Sequence, residues 1–224
     1  MTLVYLIAFG AECLEQFKIC YQGLKQCDVD IVLFTDQKFK ADKVTVIPVK
    51  TVPKAKDQYI FRTAITDYLD LRDYDRVWYM DCDILVFGDI FQVKSNAIIV
   101  TREQKWTMGH DCFASALTHE EMVKYYHYPA INGGLYSVPY HYYPFFNEYK
   151  DEVERFIKES PDINIPEQQV LNAMYARNLY KFEILDIGFP EKGVKGDEMV
   201  YHFACYKFED KLKLMKQAWK SRTK

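Results

Sequence analysis

The chain has little of what a nucleic-acid binder, a disulfide-stapled domain or a membrane span requires. Its 29 Lys and Arg are outnumbered by 32 Asp and Glu, for a formal net charge of -3. A nucleic-acid-binding domain is usually basic as a whole, so no nucleic-acid partner is expected. Six cysteines, at 13, 20, 27, 82, 112 and 205, form no CxxC pair and lie mostly in apolar stretches. They read as buried, reduced thiols rather than a disulfide framework. No apolar run approaches the roughly 18 residues of a membrane helix. The apolar stretch from Met1 to Gly10 lacks a basic flank and a small-residue cleavage site, and it reads as a first strand rather than a signal peptide. The expected location is cytoplasmic. Internal repeats, linkers and low-complexity segments are also missing. What is present is 224 residues, 49% of them apolar. That suits one globular domain, which would bury roughly 70% of its unfolded surface without help from a disulfide or structural metal.

Apolar runs bounded by turn signals alternate with helical spacings. Strands are expected at Leu3 to Phe9, Ile31 to Phe34, Val44 to Ile47, Val77 to Met80, Ala97 to Val100, Leu135 to Val138 and Met199 to Ala204. Helices are expected at Glu12 to Gln26, Tyr59 to Leu71, Glu148 to Glu159, Glu167 to Arg177 and Phe208 to Ser221. Residues 102–130, with Trp106, Gly109, His110, Asp111 and a Tyr-rich patch from Tyr125 to Tyr128, read as loop. This alternation predicts an α/β fold with a mostly parallel central sheet flanked by helices. Within a single domain, residues about 1–100 would bind a nucleotide and about 101–208 would shape the acceptor side, followed by a basic helix over 209–224.

The most informative stretch is Arg76-Val77-Trp78-Tyr79-Met80-Asp81-Cys82-Asp83-Ile84-Leu85-Val86. Residues two apart in an extended chain point the same way, so Asp81 and Asp83 can converge at the strand's C-terminal edge. Ligands of open α/β sheets bind at that edge. Two adjacent carboxylates repel unless a cation lies between them, and oxygen ligands favour a hard divalent ion such as Mg or Mn. Such an ion could bridge the phosphates of a nucleotide diphosphate. The bland alternative is a solvated acidic turn, but the apolar flanks argue against it, because an uncompensated acidic pair pressed into a core is costly.

Three further segments join it. Ala130-Ile131-Asn132-Gly133-Gly134-Leu135 sets an amide beside two glycines, which allow close approach of a ligand; an ordinary turn into a strand is the alternative. Pro166-Glu167-Gln168-Gln169-Val170-Leu171-Asn172 begins a helix with polar groups at its positive end; an ordinary capped helix is the alternative. Val200-Tyr201-His202-Phe203 places a histidine among strand residues, where a satisfied core histidine is the commoner case.

Together, and in this order, these segments resemble glycosyltransferase family 8, the glycogenin-like and lipopolysaccharide-galactosyltransferase-like enzymes. Tyr79-Met80-Asp81-Cys82-Asp83-Ile84-Leu85-Val86 is similar to the family's YLDxDxLV element, and Ile131-Asn132-Gly133-Gly134-Leu135 to its FNxG element. Glu167-Gln168-Gln169-Val170-Leu171-Asn172 is similar to DQDxLN, and His202-Phe203 to a late HF element. The likeness spans about residues 3 to 208. Glu167 stands where the family has Asp, and the Gly and Pro-Trp that follow the HF element are absent here.

The resemblance implies a GT-A (Rossmann-like) fold and a metal-dependent transfer of a hexose from a UDP-sugar of the glucose or galactose type. The acceptor would be a hydroxyl of a glycan, lipid or protein, and the anomeric configuration would be retained. It also implies Asp81, Asp83 and His202 as ligands of Mn, with Mg as the alternative; an imidazole shifts preference toward Mn. Asn132, Gly133 and Gly134 would line the donor sugar. Gln168 would lie beneath the anomeric carbon, with Glu167 on a sugar hydroxyl. Arg62, Cys82 and Lys207 would contact the donor, with Asp81 and Asp83 binding it through the metal, and Ala8, Phe9 and Gly10 would lie by the base.

Two rivals are weaker. A phosphatase that begins its chemistry at a DxD normally has Thr or Val where this chain has Leu85, and no late acidic pair follows a strand. A degenerate domain that binds a nucleotide sugar without turning it over is the other. The basic helix carries Lys211, Lys213, Lys216, Lys220, Arg222 and Lys224. A solvated face is the plain reading, and weak contact with an anionic membrane surface the alternative.

Overall fold

The structure, a computed structural model, describes residues 1–50, 55–110, 113, 115–188, 199–204 and 206–222. Asp111, Cys112, Cys205 and Lys224 lie outside the described residues. In chain order the elements begin β1 (Thr2–Ala8), α1 (Gly10–Leu24), β2 (Asp30–Thr35), β3 (Val44–Pro48), α2 (Ala55–Phe61), β4 (Arg76–Met80), β5 (Ile84–Val86) and β6 (Ile98–Thr107). They continue with α3 (His119–Tyr125), β7 (Pro129–Pro139), α4 (Pro144–Glu159), α5 (Pro166–Ala176), β8 (Phe182–Leu185), β9 (Val200–His202) and α6 (Phe208–Arg222). The fold is α/β and Rossmann-like, with mostly parallel strands flanked by helices, as the alternation predicts. Among the described residues no helix is long and apolar enough to cross a membrane, and Cys13, Cys20, Cys27 and Cys82 are free thiols.

Chain contacts divide the molecule into two compact units. The first gathers Met1–Val52, Val77–Lys94 and Ile187–Lys224; the second gathers Pro53–Arg76 and Ser95–Asp186. In the first unit the strands run in the order β3-β2-β1-β4. β1 and β2, and β2 and β3, pair in parallel. β5 and β9 make a separate antiparallel pair, with Ile84 opposite His202. α1 turns Leu14, Phe17, Cys20 and Leu24 inward. It lies so close to β5 that a Cβ at Gly23 would stand 2.2 Å from the Val86 carbonyl oxygen; glycine is what permits that backbone contact. α6 buries Met215 and Ala218 in a cluster with Leu85, Tyr201 and Phe203, which docks it against β5 and β9.

In the second unit the order is β7-β6-β8, with β6 and β7 antiparallel and β6 and β8 parallel. Several expectations are corrected here. The helix expected over Tyr59 to Leu71 ends at Phe61, and only a 3-10 turn at Ile65–Asp67 follows. The backbone tightens into i to i-3 bonds, Arg62 N–H to the Tyr59 carbonyl and Thr63 N–H to the Ile60 carbonyl. The Thr63 hydroxyl also claims the Ile60 carbonyl, which competes with helix continuation.

Residues 102–130 are not mainly loop: β6 runs on to Thr107, and α3 starts at a capping box formed by Thr118 and Glu121. Asn132, Gly133 and Gly134 do not precede a strand but sit inside β7. Val100 pairs with Tyr136 while Thr101 pairs with Asn132, so residues 133–135 bulge out of the ladder.

Candidate functional site

In the first unit β4 delivers Asp81, and a tight turn follows in which the Ile84 N–H donates to the Asp81 carbonyl at 3.2 Å. This turn, rather than an extended alternation, brings Asp81 and Asp83 to one side. The end of β9 is tied to it, because the Phe203 N–H donates to the Asp83 carbonyl at 3.0 Å. His202 therefore faces both carboxylates. Its Nε2 lies 3.2 Å from Asp83 Oδ1 and 3.8 Å from Asp81 Oδ2. Among the described residues these three form the group whose donor atoms, all within 4.8 Å of one another, could hold a metal ion.

The donor set fits a divalent cation. Ligands about 2.1 Å from an octahedral ion sit roughly 3 Å apart at right angles, close to the smaller of the two separations. The centre is well shielded, with His202 only 3% exposed and Asp83 8% exposed. Two neighbours orient the carboxylates: the Tyr79 hydroxyl donates to Asp81 Oδ1, and the Lys211 ammonium donates to Asp83 Oδ2 at 2.6 Å. Burial pushes the Asp83 pKa up, but the charges and hydrogen bonds of His202 and Lys211 outweigh it and hold the carboxyl well below the usual range. Burial pushes the His202 pKa down, but Asp83, with Asp81 behind it, outweighs that and raises it. A carboxylate facing an imidazole at this distance favours both charged forms.

Most of the remaining expected donor residues of this unit are turned inward or already bonded. Cys82 points inward, its thiol directed at the Ile7 carbonyl; burial above all keeps it protonated, with a pKa well above the usual thiol range. The Ala8 carbonyl accepts the Thr35 hydroxyl at 2.6 Å. Phe9 is buried. Gly10 has a positive φ of 80°, which favours glycine, and its N–H donates to Asp36 at 2.8 Å. Lys207 is exposed; the ammonium that reaches Asp83 belongs to Lys211, one helical turn later.

In the second unit the polar start of α5 serves β7. Gln168 Oε1 accepts the Gly133 N–H at 3.0 Å, and the Asn172 side chain bonds both the N–H and the carbonyl of Ile131. Asn132 Oδ1 accepts the Gly134 N–H at 2.8 Å. Gln168 and Asn132 thus satisfy N–H groups of the bulge, and Asn172 serves the backbone of Ile131 just before it. Glu167, buried, takes a 2.6 Å ion pair from Arg62. Ile165, at the helix entry, has a φ of 53°, a strained conformation for a β-branched residue. Thus Arg62, Glu167, Gln168, Asn132 and Gly133 do meet, in a network of their own.

Sequence reasoning missed Tyr79 and Lys211 as partners of the acidic pair. Lys211 was legible: it precedes Leu214, Met215 and Ala218 at the i, i+3, i+4 and i+7 spacing of a buried face, whereas Lys213, Lys216 and Lys220 are exposed.

Replacing His202 by Ala is expected to weaken Mn binding by about tenfold or more, as loss of a ligand or its support commonly does. The melting temperature should fall only modestly. Calorimetric titration with Mn beside a melting curve checks this; lost stability with unchanged Mn affinity would make His202 a core residue only. No family model matches the chain, and no curated protein matches it.

Proposed function

We propose that this chain is a metal-dependent glycosyltransferase that moves a hexose from a UDP-sugar to a hydroxyl of a glycan, lipid or protein. The observation that carries the reading is the convergence of Asp81, Asp83 and His202 on one point after β4. Asp81 and Asp83 supply hard oxygen donors and His202 a nitrogen, a set suited to Mn, with Mg as the alternative. A divalent ion bound there would act as a Lewis acid on the leaving diphosphate, worth several kcal/mol in the transition state. Tyr79 holds Asp81 in place, and Lys211 is bonded to Asp83 in the absence of an ion. Retention of anomeric configuration, and the roles of Gln168 and Glu167 at the sugar, rest on the family resemblance.

A panel of nucleotide sugars scored for Mn-dependent hydrolysis tests the reading without an acceptor. One or more UDP-hexoses should be hydrolysed, and excess chelator should stop it. Full activity in excess chelator, or no nucleotide sugar bound at all, would overturn it. The second reading, a domain that binds a donor without turnover, is favoured by the engagement of the Gln168 amide oxygen with Gly133. It predicts donor binding with no hydrolysis in the same panel.

A further inference from the structure

Lys211 puts a positive charge on the carboxylate that a cation would need. Its side chain is 14% exposed and its ammonium lies 2.6 Å from Asp83 Oδ2, on a helix pinned by Met215 and Ala218. An imidazole that ligates a metal must be neutral; with His202 in that form, the two carboxylates against one ammonium leave the centre with a single negative charge. A divalent cation turns that into a single positive charge. Without Lys211 the filled centre would be neutral. A bound cation is often the largest local charge and inverts the logic of a site; here the ammonium decides whether the inverted site has any net charge.

Resting on the metal reading above, we propose that Lys211 is an exchangeable counter-ion. It neutralises Asp83 through Oδ2 until a divalent cation takes Oδ1 of the same carboxylate; cation and ammonium then repel each other, and the released ammonium joins the cation in holding a phosphate-type anion. Two consequences follow. A cation entering alone meets an ammonium already bonded to the same carboxylate and must loosen that charge-assisted hydrogen bond by repulsion, so it binds more weakly than the donor set allows. An anion that gives the released ammonium a new partner strengthens cation binding, and by linkage the cation strengthens anion binding by the same factor. The long, flexible stem of lysine suits a group that changes partner without moving its helix.

The test is Mn titration of the wild type and of Lys211→Met, each with and without inorganic phosphate, corrected for Mn bound by phosphate in solution. Lys211→Met should bind Mn alone about tenfold more tightly, since a hydrogen bond between charged groups no longer has to be broken. Phosphate should improve Mn affinity of the wild type by about five- to a hundredfold, and that improvement should largely vanish in Lys211→Met. If the Met variant does not fold, Lys211→Gln takes its place; it keeps a donor to Asp83 without the charge and should lose the phosphate effect likewise. Mn binding by the variant that is no tighter, with the phosphate effect intact, would overturn the counter-ion role while leaving the metal reading standing. A wild type that binds no Mn overturns both.

Discussion

Asp83→Asn is expected to lower Mn-dependent turnover by at least about a hundredfold, the equivalent of losing several kcal/mol of charge stabilisation. The change keeps the shape of the side chain and removes one negative charge. Mn titration of the variant should be flat, and its residual activity should match that of the wild type in excess chelator. Stability should fall as well, because the Lys211 ammonium would face a neutral amide where it now faces a carboxylate, and a partly buried charge without its partner is costly. Undiminished activity in Asp83→Asn would remove the acidic pair from the chemistry and end the metal reading.

Arg62→Ala should destabilise the second unit by about 3 kcal/mol or more, because it strands the buried Glu167 carboxylate from its 2.6 Å partner. For a chain of this size that corresponds to a loss of about 10 °C in melting temperature. Replacing both partners together, Arg62→Met with Glu167→Leu, should recover much of the loss, since an apolar pair of similar volume often serves as well as a buried ion pair. If Arg62→Ala melts like the wild type and only raises the Michaelis constant for the donor, the pair is not structural and Arg62 is a donor-binding residue, as the resemblance implies.

The fold was legible where burial follows a simple period. β1, β2 and β4 are each built on a short apolar run, and α1 and α4 keep one buried stripe, so their existence follows from spacing alone. β6 was cut short at Val100 because Arg102-Glu103-Gln104-Lys105 carries none of the composition of a strand; the ladder with β7 overrides that local signal. β8 was missed because it is four residues long with no buried side chain. Periodicity also cannot see a bulge: Asn132-Gly133-Gly134 reads as a turn until its partner strand shows the three unpaired residues. At the candidate centre, the DxD stood out because two carboxylates interrupt an apolar stretch. The histidine was assigned only through its resemblance to a known motif, since one imidazole in a strand carries no intrinsic sign of metal binding.

The first unit is built from three separated stretches of chain, and this orders events during synthesis. Asp83 and Lys211 are 128 positions apart. At roughly 5–20 residues per second, a ribosome would release the carboxylate about 6 to 26 s before the ammonium. Over most of that interval neither β9 nor α6 exists to cover the carboxylates, and both stay hydrated. The centre therefore closes only when the final stretch arrives, and a nascent chain carries two waiting carboxylates whose first counter-ion comes from the surrounding medium.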